Sequence, residues 1–343
     1  MNGIIRFLKD WTLPVSIAVG TVSYLTFNYV PALDEAGDWL GSVFDVLFPI
    51  SVFMTLFVTF CKVDFHEMRP HCWHAGILVA QLLLITVTVA LAWSSDNSQL
   101  LTLNSKLSTL NSQLSTLNSQ LSTLNSKLFY EALLTCIIGP SASAAPVVVG
   151  KLGGNISTMT TYTLISSLAS ALLIPLVFPM LEPAAGITFM AAFLIILEKV
   201  SYVLLLPLVL GWMMQHYLKR LCAWIVSMPD LSFYCWAFSL SITTGITVKN
   251  IVHSTAPIML LGLIAVATFV LCWIQFGIGR GIGRLLGEEV NSGQALFQKN
   301  TALSIWVAYM YLNPVSSIGA GCYVLWQNII NSFELWQYRK TSK

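Results

Sequence analysis

Two stretches decide the fold: IIGPSASAAPVVVGKLGGN at 137–155 and NSGQALFQKNTALSIW at 291–306. Both interrupt apolar runs. In the first, Pro140 and Pro146 each remove a backbone donor and cannot continue a regular helix. The small residues between them let another helix cross closely. In the second, Gln294, Gln298, Lys299, Asn300 and Thr301 stand in an otherwise apolar segment. An ionisable residue inside a membrane helix costs about 2.5–3.5 kcal/mol on insertion scales and marks a functional site by default. Unwound backbone at that depth is tolerated only against protein or a watery cavity. The freed N–H groups and the hydroxyls of Ser141 and Ser143, beside Ala144, therefore face a polar site. The half-helix opening at Pro146 turns a positive end toward an anion.

The composition around these breaks is that of a membrane protein. Of 343 residues, 56% are hydrophobic and 9% are charged, against roughly 25% charged in a soluble domain. So few charges cannot cover a soluble protein of this size, which excludes a soluble globule and a disordered chain. A net charge of +2 is too small to mark a nucleic-acid partner. The expected class is an all-α polytopic membrane protein. Its first apolar run is too long for a signal-peptide core and reads as a retained span.

Crossing the hydrocarbon layer takes about 20 apolar residues. Runs of that kind lie at 12–30, 39–60, 74–93, 128–150, 156–181, 200–217, 231–251, 256–278, 291–312 and 316–336, which makes ten spans. Residues 187–198 read as a separate short helix at the interface. With the N-terminus inside, twelve Lys and Arg fall on inner loops and three (Lys106, Lys127, Lys249) on outer ones. That bias predicts cytoplasmic termini in a multi-pass protein of the inner, cytoplasmic membrane.

Residues 101–128 read LTLNSKL, STLNSQL, STLNSQL, STLNSKL. The leucines keep a heptad, but Ser, Thr and Asn are poor helix formers and no charge pairs flank the seam. The insert at 98–128 is expected to be a tolerated outer loop, irregular or helical, without a functional role; a contact with an oligomer or partner is the alternative. Without it, residues 1–182 and 187–343 have similar lengths, five spans each, and the broken span is fourth in each half. An odd number of spans per half turns the second half over in the membrane. That is the inverted-repeat design of secondary transporters, with discontinuous fourth and ninth helices meeting near the midplane.

GPSASAAPVVVGKLGGNISTMTTYTLISS (139–167), QKN (298–300) and VLWQNIINS (324–332) resemble the bile acid:sodium symporter family, over nearly the whole chain outside 94–127. The resemblance implies ten spans, a core domain of spans three to five and eight to ten, and a panel domain against which it moves. It also implies an ion site at the crossing of the broken helices, with Gln81 of span three and Thr163 of span five as contributors. The chain departs from the family pattern at that site. Gln294 stands in the place of a Glu, Lys299 in that of an Asn, Ser143-Ala144 in that of a Ser-Asn pair, and Met159 in that of a Ser. Sodium loses a carboxylate and several oxygens there and meets an ammonium. Lys299 is therefore expected to replace the coupling sodium, tying the breaks together through Ser141, Ser143 and carbonyls. Proton coupling through Lys299 is a second option.

The expected function is secondary transport of a small organic anion by alternating access, independent of sodium. A membrane receptor or structural subunit that kept the fold and lost transport is the alternative. No nucleophile–base set at membrane depth suggests an enzyme, and no motif names a cofactor or protein partner. The seven cysteines include no C-x-x-C and read as buried thiols. His66, His71, Cys72 and His74 match no standard zinc spacing. GIGRGIG (277–283) reads as a helix end and loop rather than a phosphate loop. Asp45 in span two either lines a cavity or joins a helix–helix bond, and Glu131 is expected at the outer interface.

Overall fold

The computed structural model describes residues 12–62, 69–104, 126–183, 186–228 and 231–341. Within them the chain is helical, and the one β-type pairing is a single bridge between Ser141 and Lys299. The order is α1 (Thr12–Tyr29), α2 (Asp34–Cys61), α3 (Cys72–Asn104), α4 (126–138), α5 (Ala145–Lys151), α6 (Ile156–Leu181) and α7 (Phe189–Tyr217). It continues with α8 (Lys219–Val226), α9 (Leu231–Val252), α10 (Ile258–Leu286), α11 (Glu289–Phe297), α12 (Thr301–Tyr311) and α13 (Ser317–Thr341).

Among the described residues, five helices are long and apolar enough to cross a membrane: α2, α3, α6, α7 and α10. α9 and α13 are also long but carry polar residues turned into the protein, such as Thr243 and Thr247 of α9 and Gln327 and Asn331 of α13. The outer surface carries the opposite pattern. On α3, Trp73, Ile77, Gln81 and Ile85 are buried, while Val79, Leu83, Val87 and Leu91 are exposed. Each set recurs every four residues, so each is one face of the helix. An outward face of Val and Leu suits hydrocarbon, not water.

The helices pack in two groups. α1, α2, α7, α8 and α9 associate with one another. α3, α5, α6 and α10–α13 form the other group, and α4 joins it by side-chain bonds from Gln81, Ser170 and Gln275 to its carbonyls. The groups touch where α6 meets α7, α9 meets α13 and α12, and α12 meets α2.

Three expectations change. Residues 187–198 are no separate helix. Thr188 caps Ala191 N at 3.3 Å, and α7 then runs unbroken from Phe189 to Tyr217. No Gly or helix-ending polar cluster separates its first turns from the rest. GIGRGIG is likewise not a loop, because α10 continues to Leu286 and stops at Gly287 with φ 87°. A Cβ on Gly279 or Gly283 would meet the backbone of Ser292 or Glu288 at 2.5 and 2.6 Å, so these glycines let α10 lie directly against the start of α11. Around the insert, α3 extends to Asn104 and α4 begins at 126, while 105–125 lie outside the described residues.

Candidate functional site

The two interruptions meet. α4 ends at 138 and α5 begins at Ala145; α11 ends at Phe297 and α12 begins at Thr301. Between them the chains run antiparallel for a few residues. Ala142 N donates to Gln298 O at 2.8 Å, and Asn300 N donates to Pro140 O at 2.8 Å. Each break thus supplies partners for the backbone groups that the other one freed, and buried backbone polar groups require such partners.

Side chains complete the junction. Ser141 N donates to Ser166 Oγ at 3.0 Å. Gln327 of α13 holds both backbone groups of Lys299, accepting from its N–H at 3.1 Å and donating to its carbonyl at 3.3 Å. Gln81 Nε2 donates to the carbonyls of Ile137 and Gly139 at 2.9 and 3.2 Å, and Ser170 Oγ donates to Ile138 O at 2.8 Å. These are end carbonyls of α4, which a helix leaves unpaired. Tyr323 OH donates to Phe297 O at 2.8 Å, at the end of α11, and accepts from Gln275 Nε2 at 2.9 Å. Asn300 caps α12 by accepting from Leu303 N at 3.2 Å.

The expected site residues divide into two sets. Ser141, Gln81, Thr163, Asn300 and Thr301 are engaged in the scaffold: Thr163 Oγ1 donates to Met159 O at 3.0 Å within α6, and Thr301 N donates to Lys299 O at 2.9 Å. Other groups remain open. Among the described residues, Lys299 Nζ, both amide atoms of Gln298, Gln294 Oε1 and Asn328 Oδ1 are buried without a hydrogen-bond partner. Lys299 is 1% exposed. The expected ammonium tie to Ser141 and Ser143 is therefore absent. The backbones of Gln298 and Asn300, on either side of Lys299, make the tie, to Ala142 and Pro140, and the ammonium of Lys299 is left over.

Ser143 and Ala144 line a cavity of about 80 Å³ together with Val147, Lys151, Asn328 and Asn331. Pro146 is buried in the first turn of α5. α5 has only seven residues, so the positive helix end expected there is weak, because a macrodipole needs several aligned turns.

The resemblance implied a lost carboxylate at Gln294. The structure brings one back from α13. Gln294 Nε2 donates to Glu334 Oε2 at 2.6 Å and to Asn331 Oδ1 at 3.0 Å. Glu334 also pairs with Arg280 of α10, which reaches Glu289 at 3.2 Å. A tethered guanidinium thus already neutralises that carboxylate.

Gln327, Tyr323, Gln275, Ser166, Ser170 and Glu334 were not among the expected residues. Their signal lay in spacing: Tyr162, Ser166 and Ser170, and again Tyr323, Gln327 and Asn331, recur every four residues in apolar helices. Glu131, expected where charge costs little, is enclosed by protein. It is fully buried, accepts from Ser316 Oγ at 2.7 Å and lies 3.9 Å from Lys127, because the start of α13 closes over it. Cys72 is exposed, while Cys61, Cys136, Cys222 and Cys272 are buried. His71 N donates to His74 Nδ1 at 3.0 Å, and no three-residue metal cluster occurs among the described residues; His66 lies outside them.

No family model matches the chain, and no curated protein matches it.

Proposed function

We propose that the protein is a secondary transporter of a small organic anion, working by alternating access in the cytoplasmic membrane without sodium. One observation carries this reading: two interrupted helices cross through paired backbones, and beside the crossing lies a buried lysine whose ammonium has no partner. A buried charge must be paired or neutralised. A carboxylate or sulfonate substrate would do both, and the open amide of Gln298 offers it further donors. The small cavity beside Ser143 favours a compact anion over a steroid.

The inverted-repeat reading has its own support. Tyr162, Ser166 and Ser170 of α6 match Tyr323, Gln327 and Asn331 of α13 in spacing. Ser166 accepts from Ser141 N as Gln327 accepts from Lys299 N, and Gln81 and Gln275 each bond to the matching tyrosine. Two halves of one design, 1–182 and 187–343, would produce that match. The resemblance to the bile acid:sodium symporter family has the same implication. Inner termini are supported by the charge bias of the sequence, twelve Lys and Arg on inner loops against three on outer ones.

Uptake of a panel of organic anions into proteoliposomes tests the proposal. Wild-type uptake should be unchanged when potassium replaces sodium. Lys299→Met should reduce it at least about tenfold, the loss of one charge-assisted contact. Uptake that rose steeply with sodium, or a fully active Lys299→Met protein, would refute it. Binding without uptake would favour a receptor of the same fold.

A further inference from the structure

A second cavity, far larger than the one at the breaks, lies between α1, α2 and α9. Its volume is about 790 Å³, within the range that holds whole small molecules. At the joined ends of α1 and α9, Asn28 Oδ1 takes Tyr24 OH at 3.0 Å and meets His253 Nε2 at 3.1 Å, and all three residues line the cavity. Away from that end the lining includes the aromatic and aliphatic side chains of Phe44, Phe238 and Ile242.

Two charges line this space. Lys249 lies in the last turn of α9. Asp45 is the twelfth residue of the 28-residue α2, near the middle of that helix. Both are exposed, and they form no ion pair with each other. A carboxylate at that depth is costly unless something polar faces it. Nothing in the scaffold requires an acid there. The aromatic wall around it is the setting in which an ammonium is held by both charge and ring faces.

We propose that this cavity binds an amphipathic zwitterion, its ammonium end on Asp45, its acid end on Lys249, and its apolar middle along the phenylalanines. The site is independent of the broken helices and does not require the protein to transport.

Three probes of equal chain length test it on the full protein in nanodiscs: ω-aminododecanoic acid, dodecanoate and dodecylammonium. The amino acid should bind saturably and about tenfold more tightly than either singly charged probe, as one added charge contact implies. Asp45→Asn should remove its advantage over dodecanoate, and Lys249→Gln its advantage over dodecylammonium. Gly41 also lines the cavity, and a Cβ there meets nothing within 4 Å. Gly41→Leu should therefore fold normally, keep both charges and lose all three ligands. Lys299→Met should bind as the wild type does. Equal affinity for the three probes, undiminished binding to Gly41→Leu, or loss of binding in Lys299→Met would overturn the assignment.

Discussion

Gln327 uses both ends of its amide on the backbone of a single residue, Lys299. Gln298, next in the chain, is equally buried and uses neither end. The two amides therefore predict opposite outcomes. Gln327→Leu strands the buried N–H of Lys299, at about 1–3 kcal/mol, and leaves its carbonyl with Thr301 N alone. Its thermal unfolding midpoint should fall clearly below that of the wild type. Gln298→Leu removes a buried amide that has no partner, so its midpoint should hold or rise while anion uptake drops. That pattern is expected where stability has been given up for a site. A lower midpoint for Gln298→Leu with normal uptake would assign that amide to the scaffold instead. The polarity of Lys299 and Gln298 was readable in the sequence. That the backbone on either side of Lys299, not its ammonium, joins the breaks was not, because the partners, Pro140 and Ala142, lie in the other half of the chain.

At the scale of elements, the glycines of α10 separate packing from flexibility. Gly279 and Gly283 face the start of α11, whereas Gly281 faces open space. Gly283→Ala should cost about 1–3 kcal/mol through overpacking, since the atoms it meets are backbone and have little freedom to move. Gly281→Ala should be neutral or stabilising by about 0.5–1 kcal/mol, the ordinary helix preference for Ala. Melting of the purified variants decides this, and equal effects would mean that α10 and α11 are not in direct backbone contact. Most helices were legible from apolar run length. The joining of 187–198 into α7 and the helical state of 277–283 were not. Glycine and polar residues mark a loop or a close helix crossing equally well, and only the neighbour distinguishes them.

For the whole molecule, the repeat insert and the two helix groups matter most. α3 has 33 residues, about 50 Å of rise, so its last turns extend beyond a hydrocarbon layer of about 30 Å. The repeats therefore join ends that have already left the membrane. Deleting two of the four heptads should leave both the unfolding midpoint and anion uptake within error of wild type. A large loss of either would give the insert a structural role. The bond of Glu131 to Ser316 draws the start of α4 to the start of α13, a contact that no local pattern indicates.

The sequence by itself determined that the chain is helical, that several helices are apolar enough for a bilayer, and that two segments break near polar residues. Those properties depend on run length, prolines and residue type over a few turns. Only the tertiary structure decided that the breaks pair with each other, that Glu334 returns a carboxylate to Gln294 already neutralised by Arg280, and that Asp45 and Lys249 share a cavity. Such contacts join residues tens to hundreds of positions apart, and the energy that selects them comes from satisfying buried polar groups across helices, a condition that no single segment carries.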